Sequence, residues 1–251
     1  MDSTGFNRRG LLVAGAVGAV GAGTLLAGCA TSASSADASA STADSTGLPN
    51  LAPNPVIDVL AAQQVLPVLR DSSPESAMRT AHAWIEGGCR AVELTTTTPD
   101  VFHVAMMLAK EGVTVGVGTL HNVQQVDQAA DAGASYALSF ATWPGLIARC
   151  QERGLMPVPG TMTPSEVYAS LAAPLIKIFP ASLLGPAYVT TLRVLLPGLR
   201  TQVTGGIGAT PQESRAWLDA GATVVGVDGD MFGTSAGAAS QVRDYLAAVA
   251  G

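Results

Sequence analysis

The 251-residue chain carries little charge: charged residues make up 13% of it, and its formal net charge is −6. Nucleic acids and anionic membrane surfaces attract clusters of Lys and Arg, and the sequence contains no such cluster. We therefore expect no nucleic-acid partner and no basic membrane-binding surface. The 48% content of hydrophobic residues predicts instead a globular chain that can bury one sizeable core.

Histidine and cysteine are also scarce. Histidines occur at positions 82, 103 and 121, and cysteines at positions 29, 89 and 150. These spacings are not those of a zinc site, and they do not indicate a disulfide framework. A metal-dependent mechanism is therefore disfavoured, and we expect neither a metal nor another cofactor.

The first 28 residues differ in composition from the rest of the chain. Arg8 and Arg9 precede an uncharged stretch rich in Gly, Ala, Val and Leu, which ends at Leu26-Ala27-Gly28-Cys29. This pattern resembles a twin-arginine signal peptide that ends in a bacterial lipobox, where the cysteine becomes the first mature residue and carries lipid. Residues 1–28 are thus predicted to be a signal peptide, and Cys29 the lipidation site that anchors an exported protein at the outer side of the cytoplasmic membrane.

An uncleaved transmembrane anchor is the alternative for this segment. The apolar stretch of about 17 residues is marginal for spanning ~30 Å of hydrocarbon. Either interpretation places the folded domain outside the cytoplasm.

Residues 29–52 are rich in Ser, Ala and Thr and contain hardly any large apolar side chain. Such a segment cannot bury enough surface to offset the entropy that ordering would cost. We expect a disordered tether here, which leaves residues 53–251 as the folded domain.

In residues 53–251, short apolar runs alternate with amphipathic segments of helical length. The predicted strands are 65–69, 91–95, 113–117, 136–140, 156–158, 175–179, 202–204 and 223–227. The predicted helices lie near 74–87, 100–111, 122–132, 143–153, 163–171, 186–196, 211–220 and 237–249, and several start at Ser, Thr, Asp or Pro. Eight strand–helix pairs predict one α/β domain, a single (β/α)8 TIM barrel. The alternative, an open doubly wound sheet, is less favoured because no Gly-x-Gly-x-x-Gly follows the first strand.

Lys177 lies in the middle of the apolar run Leu175-Ile176-Lys177-Ile178-Phe179. Burying an ammonium group is costly, so a buried lysine tends to lose its proton. A neutral amine in a dry pocket can attack a carbonyl carbon and form a Schiff base. Lys177 is therefore the first candidate for a catalytic residue.

Alternate residues of a barrel strand point inward, and barrel enzymes carry their chemistry at the C-terminal ends of the strands. Counting along each predicted strand, we expect Glu93, Thr119, Lys177 and Thr204 to face one pocket. On the third strand this parity groups Thr119 with Val117. If Glu93 and Lys177 stood alone, a buried structural ion pair would be an alternative to catalysis.

Five segments around these residues form a recognisable series. They are Ala91-Val92-Glu93-Leu94, Gly116-Val117-Gly118-Thr119-Leu120, Pro157-Val158-Pro159-Gly160, Lys177-Ile178-Phe179-Pro180-Ala181 and Val203-Thr204-Gly205-Gly206-Ile207. In order and spacing the chain from about residue 55 to 250 resembles the KDPG/KHG aldolases. These are class I aldolases of the (β/α)8 fold that cleave 2-keto-3-deoxy sugar acids to pyruvate and an aldehyde. Gly185-Pro186-Ala187-Tyr188 resembles the 2-keto-3-deoxy-6-phosphogalactonate branch.

The resemblance implies an aldehyde-lyase in which Lys177 is the Schiff-base nucleophile and Glu93 the general acid/base. It also implies a keto-acid substrate, a mechanism without a cofactor, and a homotrimer. The positions that it assigns to substrate binding are Arg70, Thr97, Thr119, Thr204, Gly205, Gly206, Asp228 and Gly229.

Two of these positions depart from the family pattern. Many relatives have an arginine where this chain has Thr97, so a carboxylate ligand is missing unless Arg70 replaces it. A Gly-Ser pair that is common in the family is here Asp228-Gly229. At ~4 Å and an effective dielectric of ~20, a carboxylate repels each unit charge of a phosphate by about 4 kcal/mol. A helix N-terminus attracts the phosphate by only ~1 kcal/mol, so the repulsion is the larger effect.

We therefore predict a non-phosphorylated substrate if Asp228 points into the pocket. The alternative is that Asp228 faces the outer helices and changes little. A second function also stays open at this point, because an exported lipoprotein of this kind could be a sugar-acid-binding protein or a catalytically degenerate aldolase homologue.

Overall fold

The computed structural model describes residues 49–208, 210–233 and 237–251. Its strands are β1 Val65–Leu69, β2 Ala91–Thr95, β3 Thr114–Gly118, β4 Tyr136–Leu138, β5 Met156–Val158, β6 Gly160–Thr161, β7 Ile176–Ile178, β8 Thr201–Thr204 and β9 Val224–Asp228. Its α-helices are α1 Pro55–Gln63, α2 Pro74–Glu86, α3 Val101–Lys110, α4 Val123–Asp131, α5 Leu146–Glu152, α6 Pro164–Ala169, α7 Pro186–Leu195, α8 Pro211–Asp219 and α9 Ala238–Ala250. Short 3-10 helices span Ala181–Leu183 and Gly229–Phe232. The predicted signal peptide, Cys29 and the tether up to residue 48 lie outside the described residues.

All paired strands are parallel, and their order is β5-β4-β3-β2-β1-β9-β8-β7-β6. The fifth predicted strand is β5, and a further short strand, β6, follows it after Pro159: β5 pairs with β4, and β6 pairs with β7. Proline has no amide hydrogen to donate to a ladder, which accounts for a break at this point. The predicted TIM-like α/β barrel is confirmed, with nine pairing segments in the described chain where eight strands were expected.

Local sequence fixes where many helices begin. The side chains that accept a hydrogen bond from a first-turn amide are those of Asn54, Ser73, Asn122, Thr163 and Thr210. Each such cap is worth about 1 kcal/mol. None of the helices in the described ranges is long and apolar enough to cross a membrane.

Helix α1 was not predicted, because its segment is nearly all apolar and has no clear polar face. Ile57 and Leu60 of α1 pack against Leu66, Leu175 and Val224. These three residues lie at or next to the N-terminal ends of their strands, so α1 closes that end of the barrel. A second and larger core lies between the strands and the outer helices.

The parity predicted for the third strand is wrong. Val115 and Val117 belong to the outer core. The interior side of β3 is occupied by Gly116 and Gly118, since a side chain on Gly118 would overlap the carboxylate of Glu93. Val117 was predicted to face the interior, but the buried side chain of Glu93 leaves room only for glycine beside it.

Residues 49–52, which we assigned to the tether, lie against the same end of the barrel as α1. The amide of Asn50 donates to the carbonyl of Leu171 at 3.0 Å, and its side-chain Nδ2 donates to the carbonyl of Ala172 at 3.1 Å. Arg200 donates to the carbonyls of Asn50 and Ala52. The chain therefore joins the barrel at the end where the strands begin.

Candidate active site

Lys177 extends from the centre of β7 and is 5% exposed. Its backbone neighbours on the flanking strands are Gly160 and Gln202. Its amine nitrogen lies 5.8 Å from the centre of the Phe179 ring. The expected burial of this lysine is confirmed.

Glu93 is the partner of this amine. Lys177 Nζ donates to Glu93 Oε1 at 3.1 Å, and Gln202 Nε2 donates to Glu93 Oε2 at 3.1 Å. Glu93 is 1% exposed, and a Cβ atom on Gly118 would lie 2.1 Å from its Oε1. The carboxylate is thus held between two donors and the backbone of β3.

Tyr136 fills the barrel interior beside Gly116, where a Cβ atom would lie 2.1 Å from the tyrosine ring. Its hydroxyl donates to the carbonyl of Val92 at 2.9 Å. Burial, followed by the negative charge of Glu93, raises the pKa of Tyr136 well above its usual value. Tyr136 therefore remains a neutral hydroxyl that supports β2 from inside the barrel.

A cleft of about 560 Å³ opens at the C-terminal ends of the strands. The predicted site residues that line it are Lys177, Arg70, Thr204, Gly205, Gly206 and Asp228. Its other lining residues are Val68, Phe179, Ile207, Gly208, Gly226 and Met231. A buried amine thus meets a cleft large enough for a small ligand.

The glycines after β8 shape one wall of this cleft. Gly205 and Gly206 have φ values of +97° and +69°, a conformation that side chains other than glycine rarely adopt. A Cβ atom on Gly205 would also lie 2.9 Å from the Phe179 ring. The loop can approach Phe179 this closely only because these residues have no side chains.

Arg70 and Asp228 form an ion pair at the edge of the cleft. Arg70 Nη1 lies 3.7 Å from Asp228 Oδ2, and the two side chains are 47% and 62% exposed. Asp228 Oδ1 accepts a hydrogen bond from the amide of Asp230 at 3.3 Å. Asp228 therefore faces the cleft, and the alternative that it faces the outer helices is wrong. Because both groups are so exposed, the ion pair contributes about 1 kcal/mol or less to the free energy of unfolding.

Comparison with known proteins places this site in a family. A family model described as KDPG and KHG aldolase matches residues 56–248. The chain belongs to the KDPG and KHG aldolase family. Aldolases are lyases, so the predicted enzyme class is confirmed.

The curated relatives of this aldolase include two enzymes with similar names. The probable 2-dehydro-3-deoxy-6-phosphogalactonate aldolase of Rhizobium meliloti (strain 1021) is 36% identical over 149 residues, or 57% of this chain and 70% of the relative. The 2-dehydro-3-deoxy-6-phosphogalactonate aldolase of Escherichia coli (strain K12) is 28% identical over 198 residues, or 74% of this chain and 96% of the relative.

Solved structures show the same fold. A structure described as native KDPGal has a TM-score of 0.64 at 26% identity, with 74% of this chain and 92% of the other covered. A KDPG aldolase from Legionella pneumophila has a TM-score of 0.68 at 23% identity, with 78% and 98% covered. The barrel of this aldolase therefore matches experimental relatives over most of their length.

Three positions that the family resemblance assigned to substrate binding, Thr97, Thr119 and Gly229, do not line the cleft. Thr97 is exposed, and its hydroxyl lies 2.7 Å from that of Thr95. Thr119 has a φ of +64°, and its carbonyl accepts a hydrogen bond from the Thr96 hydroxyl at 2.8 Å. The binding roles of Thr97 and Thr119 stay predictions.

Gly229 of this aldolase packs directly on Trp84. A Cβ atom at Gly229 would lie 2.1 Å from Trp84 Cη2 and 2.8 Å from the carbonyl oxygen of Val68. Trp84 is 1% exposed and cannot move away freely. A serine, which many relatives are expected to have at this position, therefore does not fit here without rearrangement.

We predict that Gly229→Ser lowers the free energy of unfolding by about 2–3 kcal/mol, since overpacking a rigid core costs roughly this amount. Urea unfolding followed by circular dichroism measures the change. Gly237→Ser is the matched control, because among the described residues a Cβ atom there meets only Gln241, at 3.9 Å. Equal midpoints for Gly229→Ser and the unsubstituted protein would contradict the close packing of Trp84 on Gly229.

Gln202 was not among the predicted site residues. In the structure it is fully buried and donates to Glu93. The signal was available in part, because Gln202 lies two residues before Thr204 on the strand that follows Lys177. What the sequence could not show is the register that pairs Lys177 with Gln202.

The two described cysteines are buried in the core between the strands and the outer helices. Burial raises the pKa of the Cys89 and Cys150 thiols to about 12 in each case. At neutral pH both thiols stay protonated and are poor nucleophiles. Among the described residues, no group of three or more His, Cys, Asp and Glu could hold a metal ion.

Proposed function

We propose that the chain is a class I aldolase that cleaves a 2-keto-3-deoxy sugar acid to pyruvate and an aldehyde through a Schiff base on Lys177. The observation that carries the proposal is the buried amine of Lys177, 3.1 Å from Glu93 Oε1 and lining a cleft. The names of both curated relatives support the class of substrate.

The first chemical task is to free the amine. Only a neutral amine has the free electron pair that attacks a carbonyl carbon, and Lys177 Nζ donates to the carboxylate of Glu93. A proton that passes from Nζ to Oε1 across their hydrogen bond leaves a neutral amine and a neutral carboxyl group. The amine then attacks the C2 ketone, and Glu93 returns its proton to the leaving hydroxyl, so that loss of water gives a protonated imine and a Glu93 carboxylate.

The protonated imine is the electron sink for carbon–carbon cleavage. As the C4 hydroxyl loses its proton to the Glu93 carboxylate, directly or through water, the C3–C4 bond breaks and the aldehyde leaves. The electrons of that bond form an enamine, which takes up a proton at C3. Hydrolysis of the resulting imine releases pyruvate and restores the amine of Lys177.

Reduction with borohydride in the presence of pyruvate tests this proposal. We expect a stable adduct on the peptide that contains Lys177, found by mass spectrometry after digestion. If the protein is folded and the peptide is unmodified, the result would instead favour a sugar-acid-binding protein or a degenerate aldolase homologue, since binding alone needs no reactive amine.

The substrate is proposed to end in a hydroxyl group and not a phosphate. Both relatives are named for 6-phosphorylated acids, so this chain would differ from them at the far end of the substrate. Two features support the difference: Asp228 lines the cleft, and Trp84 excludes a serine at Gly229. The carboxylate of Asp228 repels a phosphate but can accept a hydrogen bond from a hydroxyl.

We predict that Asp228→Asn raises kcat/KM for the 6-phosphorylated acid by about 10-fold relative to the unphosphorylated acid. The repulsion of about 4 kcal/mol at ~4 Å is reduced to roughly a third by solvent, because the carboxylate is exposed. Steady-state pyruvate release from both acids measures the ratio. Asp230→Asn is the matched control, since Asp230 is an exposed neighbour outside this cleft. A strong preference of the unsubstituted enzyme for the phosphorylated acid would overturn the proposal.

Export is part of the same proposal. Lipid attachment at Cys29, at the outer side of the cytoplasmic membrane, would place the enzyme where unphosphorylated sugar acids are more available than sugar phosphates. The sequence pattern of residues 1–29 supports this localisation.

A homotrimer is also proposed. The apolar side chains of Leu183, Val194 and Leu195 are 72%, 74% and 67% exposed in the single chain, and large exposed apolar groups are typical of surfaces that meet a partner. A cube-shaped cage designed by fusing symmetric oligomeric domains is 27% identical, with a TM-score of 0.65 over 74% of this chain and 70% of the other. Both observations support self-association.

A further inference from the structure

Gln202 is a fully buried amide inside the barrel. Its Nε2 atom donates to Glu93 Oε2 at 3.1 Å. Its Oε1 atom has no hydrogen-bond partner among the described residues. A buried polar atom without a partner costs about 1–3 kcal/mol.

Glu93 needs a partner that does not change during the reaction. Under the proposed function, Lys177 Nζ becomes an imine nitrogen, so its hydrogen bond to Glu93 Oε1 is altered in every turnover. Gln202 carries no charge and forms no bond to the substrate. It therefore gives the carboxyl group a fixed point while Lys177 changes.

An amide also suits both protonation states of Glu93. Nε2 donates to the ionised carboxylate, as the structure shows. When Glu93 has taken a proton, its hydroxyl becomes a donor, and Oε1 of Gln202 can accept it after a small rotation of either group. The unpartnered Oε1 is then the acceptor that the second state requires.

We propose that Gln202 is a positioning residue that orients Glu93 toward Lys177 in both protonation states of the carboxyl group. The inference rests on the proposed function, in which Glu93 exchanges a proton with Lys177. Gln202 itself does not line the cleft.

Two variants test the proposal in the full-length chain. Gln202→Met keeps the length of the side chain but removes the donor and the acceptor, and we expect kcat to fall about 100-fold, as a misplaced catalytic group does. KM should change by less than about 3-fold, because Gln202 does not bind the substrate. Borohydride trapping of pyruvate on Lys177 should become slower but still occur.

Gln202→Glu adds a carboxyl group beside Glu93, Lys177 and the neutral Tyr136. At low pH the new carboxyl is protonated and can donate to Glu93 as the amide does. At higher pH both carboxyls ionise and repel each other. The optimum of kcat should therefore move to lower pH, with activity partly restored there relative to Gln202→Met.

Thr201→Val is the matched control, since it removes a buried hydroxyl without a partner from the neighbouring position of β8. We expect it to leave kcat and the pH profile unchanged. Unchanged kcat and pH profile in Gln202→Met, with only a lower melting temperature, would overturn the positioning role. Failure of the unsubstituted enzyme to trap pyruvate would instead overturn the proposed function, so the two failures are distinguishable.

Discussion

Lys177→Met is expected to lower the rate of pyruvate release from a 2-keto-3-deoxy acid by about 10⁴-fold or more, because no other lysine among the described residues lines the cleft to supply the imine nitrogen. A coupled assay with lactate dehydrogenase measures the rate. Methionine retains the length and the apolar stem of lysine, so the shape of the interior is preserved. Borohydride should no longer trap pyruvate on this variant.

The same substitution has a consequence for stability that separates it from simple loss of a nucleophile. It leaves the buried carboxylate of Glu93 without its cation, and breaking a buried pair typically costs about 3–5 kcal/mol. Glu93→Gln on the Lys177→Met background removes the unpaired charge, so we expect stability to recover while activity stays absent. Measurable cleavage by Lys177→Met would show that another residue forms the imine.

Gly118→Ala is expected to lower kcat by about 100-fold, although Gly118 carries no functional group. A Cβ atom at this position would lie 2.1 Å from Glu93 Oε1 and 2.9 Å from its Cδ. The carboxyl group must therefore shift from its position, and a displacement of ~1 Å in a catalytic group can cost about 100-fold. Steady-state kinetics with the preferred keto acid measures the loss.

Gly116→Ala is the matched control for Gly118→Ala. Its Cβ atom would press on the Tyr136 ring at 2.1 Å instead of on Glu93. Both variants should lower the melting temperature, but kcat per folded enzyme should fall much further in Gly118→Ala. Equal kcat values in the two variants would contradict a specific effect on Glu93.

The parts of the fold set by local pattern could be predicted from the sequence. The first, second and fifth predicted strands agree with β1, β2 and β5, since compact apolar runs bounded by polar or glycine residues favour strands. Lys177 and Glu93 could be identified because an ionisable residue inside such a run is costly without a purpose. Alternate residues of a barrel strand point inward, so both side chains could be expected to face one pocket.

The parts that depend on space inside the barrel could not be predicted. The valines of β3 could be buried equally well inside the barrel or against the outer helices. Only the side chains of Glu93 and Tyr136, which leave no room for another side chain, require the glycines of β3 to face the interior. Whether Thr119 reaches the substrate depends on the left-handed backbone at this residue, which residue type does not signal for threonine. The clash of a serine at Gly229 requires knowledge of where Trp84 packs.

The attachment of residues 49–52 to the barrel has a practical consequence. Asn50 and Arg200 fix the incoming chain at the closed end of the barrel, whereas Lys177 is reached from the opposite opening. A surface or a solid support coupled ahead of Asn50 is therefore attached at the end of the barrel where the strands begin. Immobilised in this way, the enzyme would keep its entrance turned toward the surrounding solution.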